Sequence, residues 1–170
     1  HRVDRFENAM EIITPLLREG RADATGPYFE VHQAVNLPRG PRGAEGGPII
    51  LVGTDGPRMM RLTARYADAW NSSWHHDPST LVPLLERLDE ACREVGRDPA
   101  TLIRTAGTNV AMPGYFGVRP NPIQGPPEQM AELLRSFREH GLRHWVAGLD
   151  PCTPRSLEQF ARVIDVFERG

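Results

Sequence analysis

The stretch Val52–Arg58 holds the residues whose types and spacing point most clearly to chemistry. It follows an aliphatic run and precedes a helical pattern, so it is predicted to be a strand-to-helix turn in which two glycines let the backbone bend tightly. The first amides of a helix lack intrahelical acceptors and lie at the positive end of the helix dipole, so they attract anions. The turn is therefore a candidate phosphate site. Its residues are Gly53, Thr54, Asp55, Gly56 and Arg58.

A second interpretation of this turn needs no ligand. Asp55 could be the N-cap of the following helix, with Pro57 in its first turn. The pattern lacks the lysine of a Walker loop, and Gly53 and Gly56 do not reproduce the G-x-G-x-x-G dinucleotide fingerprint. Spacing alone leaves the phosphate site and the simple cap both open.

Other polar and aromatic residues follow the next predicted strand. Asn71 and Trp74 fall at or just beyond its carboxyl end. Trp70 can be a core aromatic residue, and Asp68 can anchor a turn. His75 and His76 are adjacent and would point apart on extended chain, which makes a poor metal site. One of them could relay a proton, because imidazole titrates near neutrality. We expect instead that Asp77 caps the next helix and that both histidines are exposed.

Composition excludes several classes of protein. The 170 residues carry a net charge of −2 with 39% hydrophobic residues, so the chain is predicted to be a globular domain without a basic surface for nucleic acid. No apolar run is long enough for a membrane helix, and we expect a cytoplasmic protein with no membrane partner. All 20 basic residues are Arg, which excludes chemistry that needs a lysine. Cys92 and Cys152 have no metal-ligand spacing, so no metal site is expected.

The remaining pattern indicates a single domain over residues 1–170. Residues 1–20 form an amphipathic helix, and residues 21–47 are rich in Gly and Pro and are predicted to be a long surface loop with a short strand near Tyr28. Residues 48–170 repeat a strand followed by a helix four times, which predicts a parallel sheet flanked by helices. The predicted strands lie within 48–53, 68–72, 101–112 and 142–149. The loop over residues 113–127, with Tyr115 and Phe116, could cover a planar ligand or simply lie on the surface.

The block Pro48–Trp74, PIILVGTDGPRMMRLTARYADAWNSSW, resembles a stretch of the luciferase-like monooxygenase family, P-I-x-V-G-G-x-G-P-R-x-L-R-L-A-A-R-x-A-D-G-W-N. The segment Asp4–Ile13 is similar to the family's R-x-x-x-F-E-E-A-L-E-I-I helix. Gly26–Phe29 is similar to its G-x-Y-Y segment. The order and spacing of the three segments also agree, and the resemblance covers nearly the whole chain.

The resemblance implies an α/β fold in which the parallel βα repeats form strands 5–8, the second half, of a (β/α)8 barrel of the TIM type. It also implies that the turn at Gly53, Thr54, Asp55, Gly56 and Arg58 holds the phosphate of FMN or of the deazaflavin F420. Thr54 and Asp55 depart here from the family's commoner Gly-Ser. Asp68–Asn71 matches the family's A-D-G-W-N at the sixth strand, so the resemblance makes Asn71 and Trp74, at the carboxyl face where barrel active sites lie, candidate substrate contacts. The implied activity is that of a flavin- or F420-dependent oxidoreductase or monooxygenase acting on a small molecule, and the cofactor supplies the chemistry, so no catalytic residue is assigned.

Two alternatives remain at this point. A non-catalytic half-barrel could dimerise through its exposed strands, or the chain could be an unrelated anion-binding α/β domain with a flat open sheet. Four strands leave two open edges and an incomplete interior. We therefore expect either a homodimer or an N-terminal half-barrel as the partner.

Overall fold

The computed structural model describes residues 1–170 as an α/β domain. Helices and strands follow the predicted order, with most ends within three residues of the predicted ones. The helices are α1 (Arg2–Arg18), α2 (Pro57–Tyr66), α3 (Val82–Glu94), α4 (Pro127–Glu139) and α5 (Pro154–Arg169). The strands are β1 (Arg21–Thr25), β2 (Glu30–Val35), β3 (Leu51–Gly53), β4 (Ala69–Ser73), β5 (Ile103–Ala111) and β6 (His144–Asp150).

The main sheet has four parallel strands in the order β3-β4-β5-β6. Each strand is followed by a helix, so the predicted series of four βα units is confirmed. Successive side chains of a strand point to opposite faces of the sheet. Ala106 and Val110 of β5 pack in two apolar clusters with residues of α3, α4 and α5. This is the helix-covered face, and it contains the core.

The opposite face of the main sheet, which we call the open face, is not covered by helices. It carries Leu51, Ile103 and Val146, all of which are exposed. Toward the carboxyl ends of the strands the same face carries polar and small residues, namely Asn71, Ser73, Thr105, Gly107, Asn109 and Gly148. The edges at β3 and β6 have no neighbouring strand.

The prediction of a long loop over residues 21–47 is wrong in part. The strands β1 and β2 pair as an antiparallel hairpin, with Arg21 opposite Val35 and Thr25 opposite Glu30. The strand candidate near Tyr28 therefore begins later, at Glu30, and its partner was not predicted. The run Arg21-Ala22-Asp23-Ala24-Thr25 contains no large apolar residue, so sequence periodicity did not reveal it.

Three polar side chains hold the ends of these elements by hydrogen bonds. Asp68 accepts the Ile50 amide at 2.7 Å and pairs with Arg18 at 2.5 Å, so it fixes the approach to β3. Asp77 accepts the Ser79 amide, so it is a cap as predicted, and Thr153 caps α5 by accepting the Ser156 amide. The Asp77 cap serves a short 3₁₀ turn, and α3 begins after it. No helix is both long and apolar enough to cross a membrane.

Candidate functional site

The candidate phosphate turn lies at the carboxyl edge of the main sheet, between β3 and α2. Asp55, Gly56 and Arg58 are exposed there, and Thr54 is half-buried. Because β3 and β4 are parallel neighbours, Gly53 stands opposite Asn71. The structure therefore brings together the turn and the end of β4, as a sheet of parallel strands requires.

Several backbone amides of this turn are free to bind an anion. The backbone N–H groups of Asp55, Arg58 and Met59 have no acceptor in the protein. The Thr54 amide, in contrast, donates to the Asn71 carbonyl at 3.2 Å and extends the pairing of β3 with β4. Gly56 donates over 3.4 Å to the Thr54 hydroxyl, a long hydrogen bond. The free donors thus begin at Asp55, and the amide of Thr54 does not belong to them.

Neither glycine is required by backbone strain. Gly56 has φ −83° and ψ 140°, which any residue adopts, so the expectation of a tight glycine-dependent bend is wrong here. A Cβ atom added to Gly56 would meet nothing within 4 Å, and one added to Gly53 would meet only the Asn71 carbonyl oxygen at 3.7 Å. The glycines leave open space over the turn, which a phosphate group fits.

Asp55 is not the helix cap. The N-cap of α2 is Gly56, and no side chain caps this helix. The Asp55 carboxylate instead accepts a hydrogen bond from the Ser72 hydroxyl at 2.7 Å. Asp55 is therefore tied to β4, and the alternative in which it only caps α2 is excluded.

Arg58 lies on the side of α2 that faces α1. Its guanidinium pairs with Asp4 and, at 3.3 Å, with Glu7. The hydrogen bond to Asp4 raises the pKa of Arg58, and the same bond lowers the pKa of Asp4. Because two carboxylates already neutralise this cation, the Arg58 side chain as a phosphate contact stays a prediction, and the turn fits an anion through its free backbone amides.

Trp70 supports the turn from the core. It is fully buried in the cluster shared by α2, α3 and β5, so the prediction of a core aromatic residue is confirmed. Its indole N–H donates to the Thr54 carbonyl at 2.7 Å. The position of the turn therefore depends directly on packing under the sheet.

Asn71 and Trp74 both reach the open face near its carboxyl edge. Asn71 accepts from the Thr105 hydroxyl at 2.7 Å and donates to Ser73, so its amide is held in one orientation. Trp74 is 51% exposed, and a Cβ added to Gly148 would come within 3.0 Å of its ring. Both residues are positioned to contact a ligand on this face, and their role as substrate contacts stays a prediction.

The loop after β5 reaches Trp74. Arg119 of this loop stacks over the Trp74 ring at 5.9 Å from its centroid. The Tyr115 hydroxyl donates a hydrogen bond to the Arg119 carbonyl and accepts one from the Arg119 amide. Phe116 projects into solvent. One of the two aromatic residues thus organises the loop beside the candidate site.

The expectation that both histidines are exposed is wrong for His75. His76 is exposed, but His75 is 92% buried, with 8% of its surface accessible. It contacts Ser72 and Thr80, two hydroxyl residues that sequence analysis did not single out. Burial lowers the pKa of His75 below its ordinary value. Nowhere do three or more His, Cys, Asp or Glu residues converge as a metal site would require.

Comparison with known proteins identifies similar sequences. A profile of luciferase-like monooxygenases matches residues 1–113. A phthiodiolone/phenolphthiodiolone dimycocerosates ketoreductase of Mycobacterium sp. (strain JLS) is 36% identical over 106 residues, which are 59% of this chain and 27% of that protein. The ketoreductase of the same name from Mycobacterium tuberculosis (strain ATCC 25177 / H37Ra) is 38% identical over 109 residues, 61% of this chain and 27% of the relative. The match thus spans about a quarter of each relative's length.

Solved structures show the same fold at low sequence identity. An F420-dependent secondary alcohol dehydrogenase, in complex with an F420-acetone adduct, superposes with a TM-score of 0.73 at 19% identity, over 98% of this chain and 62% of that one. The F420-dependent tetrahydromethanopterin reductase of Methanopyrus kandleri gives 0.74 at 13% identity, over 95% and 61%. A riboflavin lyase with modified FMN gives 0.71 at 14% identity, over 88% and 48%. This chain accounts for less than two thirds of each of them.

Proposed function

Because the chain belongs to the luciferase-like monooxygenase family, we propose that it forms the cofactor-phosphate side of a flavin- or F420-dependent oxidoreductase. The observation that carries this proposal is the set of free amides at Asp55, Arg58 and Met59. Gly56 lies among them and has no side chain, so the space beside these amides is open. Free amides at a helix start are a site for a phosphate group. The structural neighbours include F420-dependent enzymes and one containing modified FMN, which supports a cofactor of this type.

We propose that β3, β4, β5 and β6 correspond to strands 5–8 of a (β/α)8 barrel. Two observations support this assignment. The sheet ends in two unpaired edges and exposes Leu51, Ile103 and Val146 on its open face, and the structural neighbours are longer than this chain. A closed barrel has eight strands and no sheet edges, so a further half-barrel would cover the open face.

In this arrangement the phosphate contacts are the free amides of Asp55, Arg58 and Met59 and the Thr54 hydroxyl, while Gly53 and Gly56 leave the space that the phosphate occupies. FMN or F420, when bound, supplies hydride transfer or oxygen activation, while the protein binds and orients the reactants. Asn71 and Trp74 would face a small-molecule substrate on the open face. The names of the mycobacterial ketoreductases and of the alcohol dehydrogenase support a carbonyl or alcohol group in that substrate.

Replacing Gly56 with Val tests the phosphate turn. The new side chain meets no protein atom, but Gly56 is the N-cap of α2, where Val is less favourable than Gly, so the free energy of unfolding should fall by about 1 kcal/mol or less. It would occupy the space above the free amides. In NMR titrations with FMN, the 170-residue chain should bind weakly, with shifts at the amides of Asp55 and Met59, and the variant should bind at least about tenfold more weakly, a loss of roughly 1.4 kcal/mol.

Gly96→Val provides a control at a second glycine where a Cβ meets nothing, far along the chain from the turn. Its positive φ of 74° makes that variant less stable, but it should not change the FMN-induced shifts. Equal FMN affinity in wild type and Gly56→Val, or shifts that avoid residues 53–59, would place the phosphate elsewhere.

A second candidate function is a non-catalytic half-barrel that dimerises. The exposed apolar side chains of the open face favour it, because contiguous apolar patches usually mark a contact surface. The two candidates differ in the cofactor: only the first requires FMN or F420 at the turn. A chain that self-associates and shows no FMN-induced shift at residues 53–59 would support the second.

A further inference from the structure

A chain of hydrogen bonds, buried at its middle, connects the phosphate turn to the segment after β4. We call it the relay, and it consists of exposed Asp55, buried Ser72 and His75, and exposed Thr80. The Ser72 hydroxyl donates to Asp55 at 2.7 Å and lies 2.9 Å from His75 Nε2. His75 Nδ1 lies 2.8 Å from the Thr80 hydroxyl. Ser72 is only 3% exposed, so no water competes for these bonds at the middle of the relay.

Counting hydrogens fixes the direction of the relay. The single Ser72 hydrogen goes to the ionised Asp55 carboxylate, which can only accept, so Ser72 Oγ must accept from His75 Nε2–H. When His75 is neutral, Nδ1 therefore accepts from the Thr80 hydroxyl. When His75 is protonated, Nδ1–H donates to Thr80, whose hydroxyl then donates to the Asp77 carbonyl at 2.6 Å. Both protonation states leave the bond from Ser72 to Asp55 intact.

Few charges act on His75. Asp55, from the turn before α2, raises the pKa of its imidazole, and His76, from its own loop, lowers it. Asp77, in the following 3₁₀ turn, holds its carboxylate on the Ser79 amide. The strand β5 contributes the Gly107 carbonyl, which accepts the His75 amide and carries no charge. Asp55 is thus the counter-charge of His75.

A carboxylate beside a phosphate site needs such a counter-charge. Asp55 stands among the free amides of the turn, where its negative charge repels an incoming anion. Arg58 cannot offset it, because its guanidinium pairs with Asp4 and Glu7. The chain has no lysine. His75 is the titratable group connected to Asp55 through one hydroxyl.

We propose that His75 is a positioning residue of the phosphate turn, which holds Asp55 through Ser72 and offsets its charge by taking up a proton when an anion binds. This inference rests on the proposed function only in that the anion is a cofactor phosphate. It explains how the turn accommodates Asp55 where the family more often has an uncharged residue. By linkage, a bound anion favours protonated His75, and protonated His75 favours the anion.

The sign of the pH dependence follows from this linkage. Burial lowers the pKa of His75 in the free chain below the ordinary value of about 6.5, so the imidazole is neutral at pH 7 and becomes charged only at lower pH. Anion affinity should therefore rise as the pH falls. Because the unfolded chain binds this proton more readily than the folded one, stability should decline over the same interval, and a bound anion should oppose that decline.

Sulfate is the probe, because its charge stays constant between pH 5.5 and 7.5. Its affinity, measured by NMR shifts at the amides of Asp55 and Met59, should rise at least about fivefold from pH 7.5 to pH 5.5, the lower limit of ordinary coupling between sites. His75→Gln keeps hydrogen-bonding atoms but cannot titrate, and should show less than about a twofold rise. His76→Gln removes the exposed imidazole that lowers the pKa of His75, so it should retain a rise of at least about fivefold.

Ser72→Ala separates the relay from a simple surface-charge effect. It keeps the imidazole but breaks the connection to Asp55, so the fivefold rise should shrink toward that of His75→Gln. A rise of equal size in wild type, Ser72→Ala and His75→Gln would overturn the proposal. If the variants do not fold, the wild type alone decides: saturating sulfate should raise the pKa of His75 in its imidazole NMR signals, and an unchanged value would contradict the proposal.

The outcomes also separate this inference from the proposed function. Sulfate-linked titration of His75 without any shift by FMN or F420 would support the relay and count against the cofactor. FMN binding at the turn with the same pH profile in wild type and His75→Gln would support the cofactor and overturn the relay.

Discussion

Replacing Trp70 with Ala should lower the free energy of unfolding by about 3–5 kcal/mol, the range for truncating a large buried aromatic residue. The indole is fully buried and packs with α3 and β5. The same change frees the Thr54 carbonyl, which accepts the indole N–H at 2.7 Å. The loss is a large part of the stability of an ordinary domain, so the variant should be partly unfolded at 37 °C. Urea denaturation measured by circular dichroism provides the test.

Two tryptophan variants serve as controls. Trp70→Phe keeps an aromatic ring in the core but removes the indole donor, and it should cost about 1–2 kcal/mol while shifting the amide signals of residues 53–59. Trp74→Ala removes an exposed ring and should change stability by less than about 1 kcal/mol. Equal losses in Trp70→Ala and Trp74→Ala would contradict the assignment of the core to the helix-covered face.

The 170-residue chain should also self-associate. Leu51, Ile103 and Val146 are exposed on the open face, and both outer strands present unpaired backbone groups. Such edges and patches pair readily with a second chain. In light scattering we expect a dimer, at twice the 19.0 kDa chain mass, or larger aggregates, together with binding of a hydrophobic dye.

Val146→Glu should shift this equilibrium toward the monomer, because it places a charge on the open face at the edge strand β6. Val118→Glu is the matched control: Val118 is also exposed but lies in the loop after β5, and its replacement should leave association unchanged. A wild-type chain that is monomeric and binds no dye would contradict the expectation, as would equal effects of the two variants.

The main elements could be predicted from the sequence because each has a strong local signal. The apolar positions of α3, including Leu84, Leu85 and Leu88, repeat at helical spacing and are buried as predicted. The aliphatic run before Gly53 marks β3, although only Leu51–Gly53 pair as a strand. The hairpin β1-β2 lacked such a signal, since its strands are mostly polar and exposed.

The site was less predictable, because side-chain partners far along the chain determine it. Asp55 and Arg58 both lie in the turn as predicted. Their charges, however, are bound by distant groups: Asp55 by the Ser72 hydroxyl and Arg58 by the carboxylates of α1. These contacts span 17 residues for Asp55 and 51 for the Arg58 hydrogen bond to Glu7, and no local pattern encodes them. Burial of His75 likewise follows from packing between β4 and the next turn, and a pair of adjacent histidines does not reveal it.

Equilibrium dialysis of FMN and F420 against the purified 170-residue chain tests most directly whether it is one half of a cofactor-binding barrel. A phosphate turn alone supplies only part of the affinity, and the ring of the cofactor would need contacts from the half-barrel that covers the open face. We therefore predict dissociation constants near the millimolar range, about −4 kcal/mol, for both cofactors. Micromolar or tighter binding of either one would show a complete pocket in these four βα units and would contradict the half-barrel account.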